Sequence, residues 1–297
     1  MDAPKNMTRR QRESLYRVYM EFFDVGERKR RWHFEDDIPW DKLKGAVHDE
    51  TTAMCLETFC GVEMYVPDYT ANGFLLNREV FGHAWFQACW GYEESKHALV
   101  YREYLTRSGL RTQDEIYAFE RMILSKEWKL PYQTRRQMTC YGAIQEATTY
   151  LIYASQKDKY EALGNEVLHT IFSFVSRDES AHTGFYRKTL RLEFENDYEG
   201  TLNDLALVAS TFQMPGVGIY EDYDRRVAIP GVGISPQDFL KMALFPTLRS
   251  LGISRRDVVS AMRRQSTNKS AQANTDFILE AEAREHERRM THRAGPV

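Results

Sequence analysis

The most regular feature of the chain is the recurrence of apolar residues every three or four positions, which is the spacing of an amphipathic α-helix. Strand-like alternation is almost absent. We therefore expect an all-α fold in one domain over residues 1–297, with core helices over about 46–195 and a helical C-terminal part over about 200–290. The pattern predicts helices at about 8–25, 40–65, 77–107, 113–128, 132–163, 165–195, 201–212, 236–251, 254–264 and 276–290.

A carboxylate and an imidazole interrupt the apolar stripe of the helix predicted at 165–195. Glu179 and His182 are three residues apart, so they lie on the same helical face. Glu94 and His97 form the same Glu-x-x-His pair in the stripe of the helix at 77–107. Polar residues at these core-facing positions require partners, because a buried charge that is left unpaired is strongly destabilising.

The chain contains a third Glu-x-x-His match, Glu166 and His169, on the same predicted helix as Glu179. Glu166 precedes Glu179 by thirteen residues, which places it about 140° around a continuous helix. The third pair therefore lies largely off the apolar stripe. We expect Glu166 and His169 to be surface residues.

Two further helices each offer one acid to the core. Glu57 and Glu63 are six residues apart, about 120° around a helix, so only one of them can face inward. We choose Glu63, because it shares its stripe with Leu56 and Phe59. In the helix at 132–163, Glu146 is the single acid in an apolar and hydroxyl-bearing stretch.

Together these acids and imidazoles form a symmetric set, in which a lone Glu precedes a Glu-x-x-His helix twice, by 31 and 33 residues. Helical bundles that hold two metal ions in their core use this set. Four carboxylates and two imidazoles without a thiolate disfavour structural zinc and fit two irons, with manganese as an alternative. The competing interpretation is that each acid is solvated or ion-paired. The candidate metal ligands are Glu63, Glu94, His97, Glu146, Glu179 and His182.

Residues next to the candidate ligands are also charged. A metal-bound imidazole usually donates its other ring proton to an outer carboxylate or carbonyl. Asp178 and Glu93 each lie one position off the ligand face and are candidates for this role. The basic run Arg28–Arg31 precedes Trp32, and we expect this run to be either a docking surface for an acidic protein or a solvated charged face.

Composition excludes several other classes of protein. The formal net charge of −3 gives no indication of a nucleic-acid partner. No stretch approaches the roughly 18 apolar residues of a membrane span, and the N-terminus lacks the apolar run of a secretory signal. The four cysteines follow no disulfide or zinc pattern, so we expect buried thiols in a cytosolic protein.

Four segments that carry the candidate ligands resemble, in order, the iron-ligand segments of the soluble acyl-acyl-carrier-protein desaturases. Trp32 with its following acidic loop and the stretch Phe212–Gly216 are also similar to that family, and the similarity covers about residues 30–220. The resemblance implies a ferritin-like di-iron bundle with additional flanking helices. The four segments are Glu63–Tyr69, Glu93–His97, Gln145–Tyr150 and Asp178–His182.

The resemblance also implies an activity and its residues. The six candidate ligands would hold two irons, and the reaction would use dioxygen to introduce a double bond into a saturated acyl chain carried as a thioester of acyl carrier protein or coenzyme A. Asp178 would bind His97 and link it towards Trp32, on the route of electrons from a ferredoxin. Thr149 would assist proton delivery near the dioxygen site. Members of the family are homodimers.

The resemblance has departures and rivals. The chain has no organelle-targeting segment, which suits a bacterial cytosolic protein, and little after residue 225 matches the family. The same ligands also serve hydroxylation, N-oxygenation or oxidative cleavage of another substrate. A short polar pocket beside the metals would favour these reactions, whereas a long apolar channel would favour acyl desaturation. A ferritin-like protein for iron or peroxide and a metal-free scaffold are the remaining hypotheses.

Overall fold

The computed structural model describes residues 7–265 and 278–279 of the chain. Within these ranges there is no β-strand, which confirms the predicted all-α class. The helices are α1 (Arg9–Val25), α2 (Glu50–Glu63), α3 (Val66–Asn77), α4 (Phe81–Arg107), α5 (Gln113–Leu124), α6 (Arg135–Ala162), α7 (Glu166–Asn196), α8 (Tyr198–Thr211), α9 (Tyr223–Val227), α10 (Pro236–Asp238), α11 (Phe245–Leu251) and α12 (Arg255–Gln265).

The helix boundaries agree with the sequence pattern to within a few residues, except in two regions. The helix predicted at 40–65 is divided into a 3-10 turn, Trp40–Gly45, and α2, which begins only at Glu50. The helix α3 was not predicted, and Pro67 lies in its first turn. Proline is tolerated at this position because the first amide groups of a helix have no intrahelical acceptor. The short helix α9 was also not predicted. The helix predicted at 276–290 lies outside the described residues except for Ile278 and Leu279.

The helices α6 and α7 form the central hairpin of the bundle and pack along most of their length. Only three residues connect them, and Gly164 adopts a left-handed φ of 67° that a residue with a side chain rarely adopts. The Asn165 side chain accepts a hydrogen bond from the amide of Leu168 at 3.0 Å and caps the start of α7. This local geometry explains why the chain reverses sharply here.

Two hydrophobic clusters fill the bundle, and the candidate ligands lie in a layer between them. One cluster includes Phe86 and Phe185, and the other includes Tyr101 and Phe172. Along α4 and α6 the first cluster precedes the ligand layer, whereas along α2 and α7 it follows. The two pairs of helices therefore run antiparallel, and this arrangement brings their polar positions to one height.

No helix within the described ranges is both long and apolar enough to cross a lipid bilayer. The thiols of Cys55, Cys60, Cys89 and Cys140 are free, and all but that of Cys89 are fully buried. The predicted division into a single domain over 1–297 stays a prediction, because it includes residues beyond the described ranges.

The closest approach of α1 to α4 depends on Gly82. A Cβ atom at this position would lie 2.8 Å from the backbone carbonyl of Leu15 and equally close to the Cα of Tyr16. Backbone atoms cannot move aside as the end of a side chain can. Gly184 in the interior of α7 offers a comparison, because a Cβ atom there would meet nothing within 4 Å.

We predict that Gly82→Ala lowers the free energy of unfolding by about 1–3 kcal/mol, the usual effect of overpacking, although alanine is the better helix former. Gly184→Ala, the matched control, should be neutral or stabilising by up to about 1 kcal/mol. Chemical denaturation of both variants and the parent protein measures the difference. An equal rise in both midpoints would contradict the close contact between α1 and α4.

Candidate metal centre

The structure brings the six predicted ligands together in two overlapping groups of buried side chains. In each group the ligand atoms all lie within 4.8 Å of one another. Glu94 and Glu179 belong to both groups, so their carboxylates lie between two possible metal positions. The first group is Glu63, Glu94, His97 and Glu179, and the second is Glu94, Glu146, Glu179 and His182.

Both imidazoles direct one nitrogen to the carboxylates and the other away from them. His97 Nδ1 lies 3.1 Å from a carboxylate oxygen of Glu94, and His97 Nε2 lies 3.4 Å from Asp178 Oδ2. His182 Nδ1 lies 3.1 Å from the other oxygen of Glu94, while its Nε2 lies 2.8 Å from Glu93 Oε2. The outer contacts cross between α4 and α7. Glu93 of α4 contacts His182 of α7, and Asp178 of α7 contacts His97 of α4.

A buried arginine joins the two outer carboxylates. The π-helical turn Gly26–Arg30 follows α1, and Arg30 NH1 lies 2.7 Å from Glu93 and 3.0 Å from Asp178. Arg31 contacts the remaining oxygen of Glu93 at 2.6 Å. The Arg30 side chain is only 5% exposed, so for this residue both expectations, a docking surface and a solvated charged face, are wrong.

Trp32 is buried between the outer carboxylate and the surface. Its Nε1 donates to Asp178 Oδ2 at 2.9 Å, so Trp32, Asp178 and His97 form a continuous chain of polar contacts. Phe174 stacks on the indole with ring centroids 5.4 Å apart, and the Lys96 ammonium lies 3.8 Å from the ring centroid. This arrangement is the one that the resemblance led us to expect for these three residues.

The two lone acids have neutral partners that sequence reasoning missed. Trp90 Nε1 donates to Glu146 at 3.0 Å, and the Tyr153 hydroxyl donates to Glu63. Trp90 lies four residues before Glu94 on the same face of α4, and this position was a signal that could have identified it. No such signal pointed from Tyr153 to Glu63, because they belong to different helices that are far apart in sequence.

Burial and neighbouring charges change the pKa values of several carboxylates and of both imidazoles in the site. Burial, followed by the charge of a neighbouring carboxylate, raises the pKa of both Glu63 and Glu146 well above the usual range. Burial alone would also raise the pKa of Glu94, but His97 and His182 contribute more and lower it. Burial alone would lower the pKa of His97 and His182, but contacts with carboxylates, led by Glu94 for His97 and by Glu146 for His182, raise both well above the usual range.

The donor set fits two divalent cations. Both oxygens of Glu179, one oxygen of Glu146 and Nδ1 of His182 are buried without a hydrogen-bond partner among the described residues. No lysine or arginine in the described ranges forms an ion pair with a carboxylate of this layer. Four carboxylates so placed require positive charge. Two divalent ions would supply this charge and would also bind the four atoms that lack a hydrogen-bond partner.

The acids that were excluded from the ligand set lie elsewhere. Glu166 is exposed, and His169 is half-buried beside the carbonyl of Lys157. Glu57 faces away from the layer and forms ion pairs with Arg111 and Arg226. The choice of Glu63 over Glu57 therefore agrees with the position of each side chain.

A cavity of about 550 Å³ borders the carboxylate layer. Glu63, Glu94 and Glu146 line it, as does Thr149. The Thr149 hydroxyl donates to the carbonyl of Gln145 at 3.1 Å and accepts from the Gln145 amide at 3.0 Å. Thr149 is thus at the boundary between the cavity and the polar layer, one turn beyond Glu146.

The bundle and its polar layer define the class of protein as a ferritin-like helical protein. A sequence profile of the family described as fatty acid desaturases matches residues 48–229, which is more than half of the chain. The chain therefore belongs to the fatty acid desaturase family.

Known relatives share parts of this chain. DesA1 of Mycobacterium tuberculosis, which carries the name of an acyl-[acyl-carrier-protein] desaturase, is 24% identical over 178 residues. The match covers 57% of this chain and 52% of DesA1, so the chain spans about half the length of the curated relative it matches.

Two solved structures show the same fold at low sequence identity. DesA2 of Mycobacterium tuberculosis H37Rv, also described as an acyl-ACP desaturase, has a TM-score of 0.60 at 16% identity, over 84% of this chain and 98% of DesA2. A mutant R2-like ligand-binding oxidase with a reconstituted Mn/Fe cofactor has a TM-score of 0.54 at 14% identity, over 81% of this chain and 94% of the oxidase.

We predict that Glu94→Ala lowers the metal content from roughly two ions per chain to less than one, because Glu94 belongs to both ligand groups. Glu63→Ala removes a ligand from one group only and should retain about one ion. Elemental analysis of protein produced in iron-replete medium measures both and identifies iron or manganese. Glu166→Ala is the control and should match the parent protein. Full metal content in Glu94→Ala would exclude it as a ligand.

Proposed function

We propose that the protein is a di-iron desaturase that uses dioxygen to introduce a double bond into a saturated acyl chain carried as a thioester. The observation that carries the proposal is the placement of the cavity directly against Glu63, Glu94 and Glu146. An acyl chain bound in this cavity would place its carbon atoms next to these candidate metal ligands. Membership of the fatty acid desaturase family supports the same reaction.

The protein contributes ligands, orientation and the exclusion of water. The carboxylates and imidazoles would hold two iron ions, and the bound ions would supply the activation of dioxygen. Removing two hydrogens from the acyl chain with dioxygen balances with two electrons and two protons, which yields two waters. Thr149 Oγ1, at the cavity wall, would deliver a proton. Aromatic side chains such as Phe59 and Tyr141 line the cavity and would limit the access of water to a bound acyl chain.

Electrons would come from a ferredoxin-type donor along Trp32, Asp178 and His97. The 2.9 Å hydrogen bond of Trp32 and the 3.4 Å contact of His97 with Asp178 support this route. Burial alone would raise the pKa of Asp178, but His97 followed by Arg30 lowers it to about 2, so the carboxylate stays ionised. The free cysteines support a cytoplasmic location, because disulfides are rare there.

A related oxygenase is the second candidate. The fold is shared with an R2-like oxidase that has an Mn/Fe cofactor, and the same ligand set can hold manganese in place of one iron. The cavity also has polar residues, including Gln87 and Gln145, among its apolar walls. These features support hydroxylation or N-oxygenation as the alternative outcome of the following experiment.

We expect acyl thioesters incubated with the iron-loaded protein, reduced ferredoxin and dioxygen to lose two hydrogens, which mass analysis of the products measures. Acyl carrier protein and coenzyme A thioesters over a series of chain lengths identify the carrier and the position of the double bond. Glu94→Ala should reduce product formation at least about a hundredfold, because it disrupts both metal positions. Gain of one oxygen would indicate the oxygenase, and fast peroxide turnover without acyl oxidation would exclude the desaturase.

A homodimer is part of the proposal, and an aromatic stripe on α4 supports it. Phe81, Trp85 and Tyr92 are 70%, 53% and 52% exposed. Their spacing places them within about 40° on one side of the helix. Exposed Tyr16 and Met20 on α1 extend the same apolar surface. A patch of this kind is typical of a protein interface, and a second copy would cover it symmetrically.

We predict that Trp85→Glu weakens dimerisation by at least about tenfold in Kd, because it places a charge at a central aromatic position. Leu75→Glu on α3, which is 75% exposed and lies off the stripe, is the matched control and should leave the dimer intact. Sedimentation velocity over a range of concentrations measures both. A monomeric parent protein, or an equal loss in both variants, would exclude the stripe as the interface.

A further inference from the structure

One end of the cavity is polar although it is deep in the bundle. Its side chains belong to α3, α4 and α7 and line the same cavity as the carboxylate layer. Three of them are at most 5% exposed, and Tyr186 is 7% exposed. We call this group the polar end, and it consists of Asn77, His83, Gln87 and Tyr186.

The polar end lies at a defined distance from the candidate metal positions. On α4, Gln87 and His83 precede Glu94 by seven and eleven residues, so they share its face and lie about 10 and 16 Å along the helix. Tyr186 lies one turn beyond His182 on α7. The cavity also reaches the segment 223–235, which consists of α9 and the loop that follows it, and the lining residue Ser235 of this loop is exposed. An acyl chain that enters beside this loop would bring its tail to the polar end.

Two polar atoms at this end are buried without a hydrogen-bond partner in the described part of the chain. They are Asn77 Oδ1 and His83 Nδ1, whereas the Asn77 amide nitrogen donates to the carbonyl of Gly73 at 2.8 Å. The side chains of Gln87 and Tyr186 line the cavity beside them. A buried polar group that stays unpaired is destabilising by about 1–3 kcal/mol. Burial lowers the pKa of His83 to about 3, so its imidazole is neutral and offers one donor and one acceptor.

Two glycines make room for these side chains. A Cβ atom at Gly73 would lie 2.6 Å from the amide carbon of Gln87, and one at Gly142 would lie 2.6 Å from the ring of Tyr186. Both polar side chains therefore lie directly against backbone of a neighbouring helix. This close packing limits their freedom and holds their polar atoms at the cavity.

We propose that the polar end binds an uncharged hydrogen-bonding group, a hydroxyl or an amide, at the tail of the acyl chain, so that the preferred substrate is a functionalised acyl thioester. This inference rests on the proposed function for the acyl chain itself. No lysine or arginine is among the described lining residues, which argues against an anionic tail group, and the polar end has no carboxylate to pair with a cationic one. A hydroxyl or an amide both donates and accepts, as the amide, imidazole and phenol groups of the polar end do.

Ordered water is the alternative occupant of a polar cavity end. Water would satisfy the same atoms without selecting a substrate. The two possibilities differ in one measurable respect. If water is retained, a methyl tail and a hydroxyl tail bind equally well, whereas direct recognition favours the tail that replaces the lost hydrogen bonds.

The test compares binding of acyl-pantetheine thioesters that differ only at the tail, with methyl, hydroxyl and amide ends over a series of chain lengths. Quenching of tryptophan fluorescence in the metal-loaded protein measures Kd, since Trp90 and Trp128 line the cavity. At the best chain length we expect the hydroxyl or amide tail to bind about tenfold more tightly than the methyl tail. Equal binding, tighter binding of the methyl tail or no binding of any thioester would overturn the inference.

Variants assign the preference to the polar end. Gln87→Met and Tyr186→Phe remove hydrogen-bonding groups with little change in volume, so they should reduce the tenfold preference to near parity. Ile152→Val, in the cavity wall at the other side of the carboxylate layer, is the control and should keep the preference. Thermal unfolding of each variant checks that it folds. A preference that persists in the Gln87 and Tyr186 double variant would overturn the assignment.

The binding test separates this inference from the proposed function, because it requires no turnover. If methyl-tailed thioesters are desaturated and no tail preference exists, the proposed function stands and the inference fails. If the tail preference exists but no thioester loses hydrogens with ferredoxin and dioxygen, the desaturase fails and the polar end remains a recognition site.

Discussion

Four carboxylates buried in one layer, without a lysine or arginine against them in the described part of the chain, are the constraint on which the site depends. Their closest partners are two imidazoles, one indole and one phenol, none of which carries a permanent positive charge. Hydrophobic clusters lie on both sides of the layer and all four side chains are at most 5% exposed, so bulk solvent stabilises their charge only weakly. Two cations held by the ligand groups that share Glu94 and Glu179 would satisfy this constraint.

Charge alternates outward from this layer. The imidazoles His97 and His182 bind the inner carboxylates on one side and the outer acids on the other, and Arg30 neutralises both outer acids together. The crossed contacts hold α4 and α7 in one register, because a shift of either helix would separate an acid from its imidazole. The outer layer thus fixes the orientation of the rings, which is what metal ligation requires of histidine.

The sequence identified the inner layer because helical periodicity alone decides which residues share a face. That rule chose Glu63 over Glu57 and separated Glu166 from Glu179. It could not identify Arg30 as a buried partner of the outer acids. A basic run is typical of a solvated surface, and the sequence does not show that a π-helical turn directs Arg30 inward. The helix α3 was not predicted for a related reason, since proline occurs both after the end of one helix and in the first turn of the next. Tyr153 depends on packing between helices, which no local pattern contains.

The same face of α4 carries Glu94 for the chemistry and Gln87 and His83 at the end of the cavity. Because one helix holds both, the distance between Glu94 and the polar end is set by the helical rise and not by loop movement. A generic carboxylate layer can therefore serve different substrates when residues two and three turns away are exchanged. In this chain those residues are polar, and His83 Nδ1 is buried without a partner among the described residues, although an apolar residue at that position would remove its desolvation penalty. Retaining polar groups there is physically reasonable only if something in the cavity completes their hydrogen bonds.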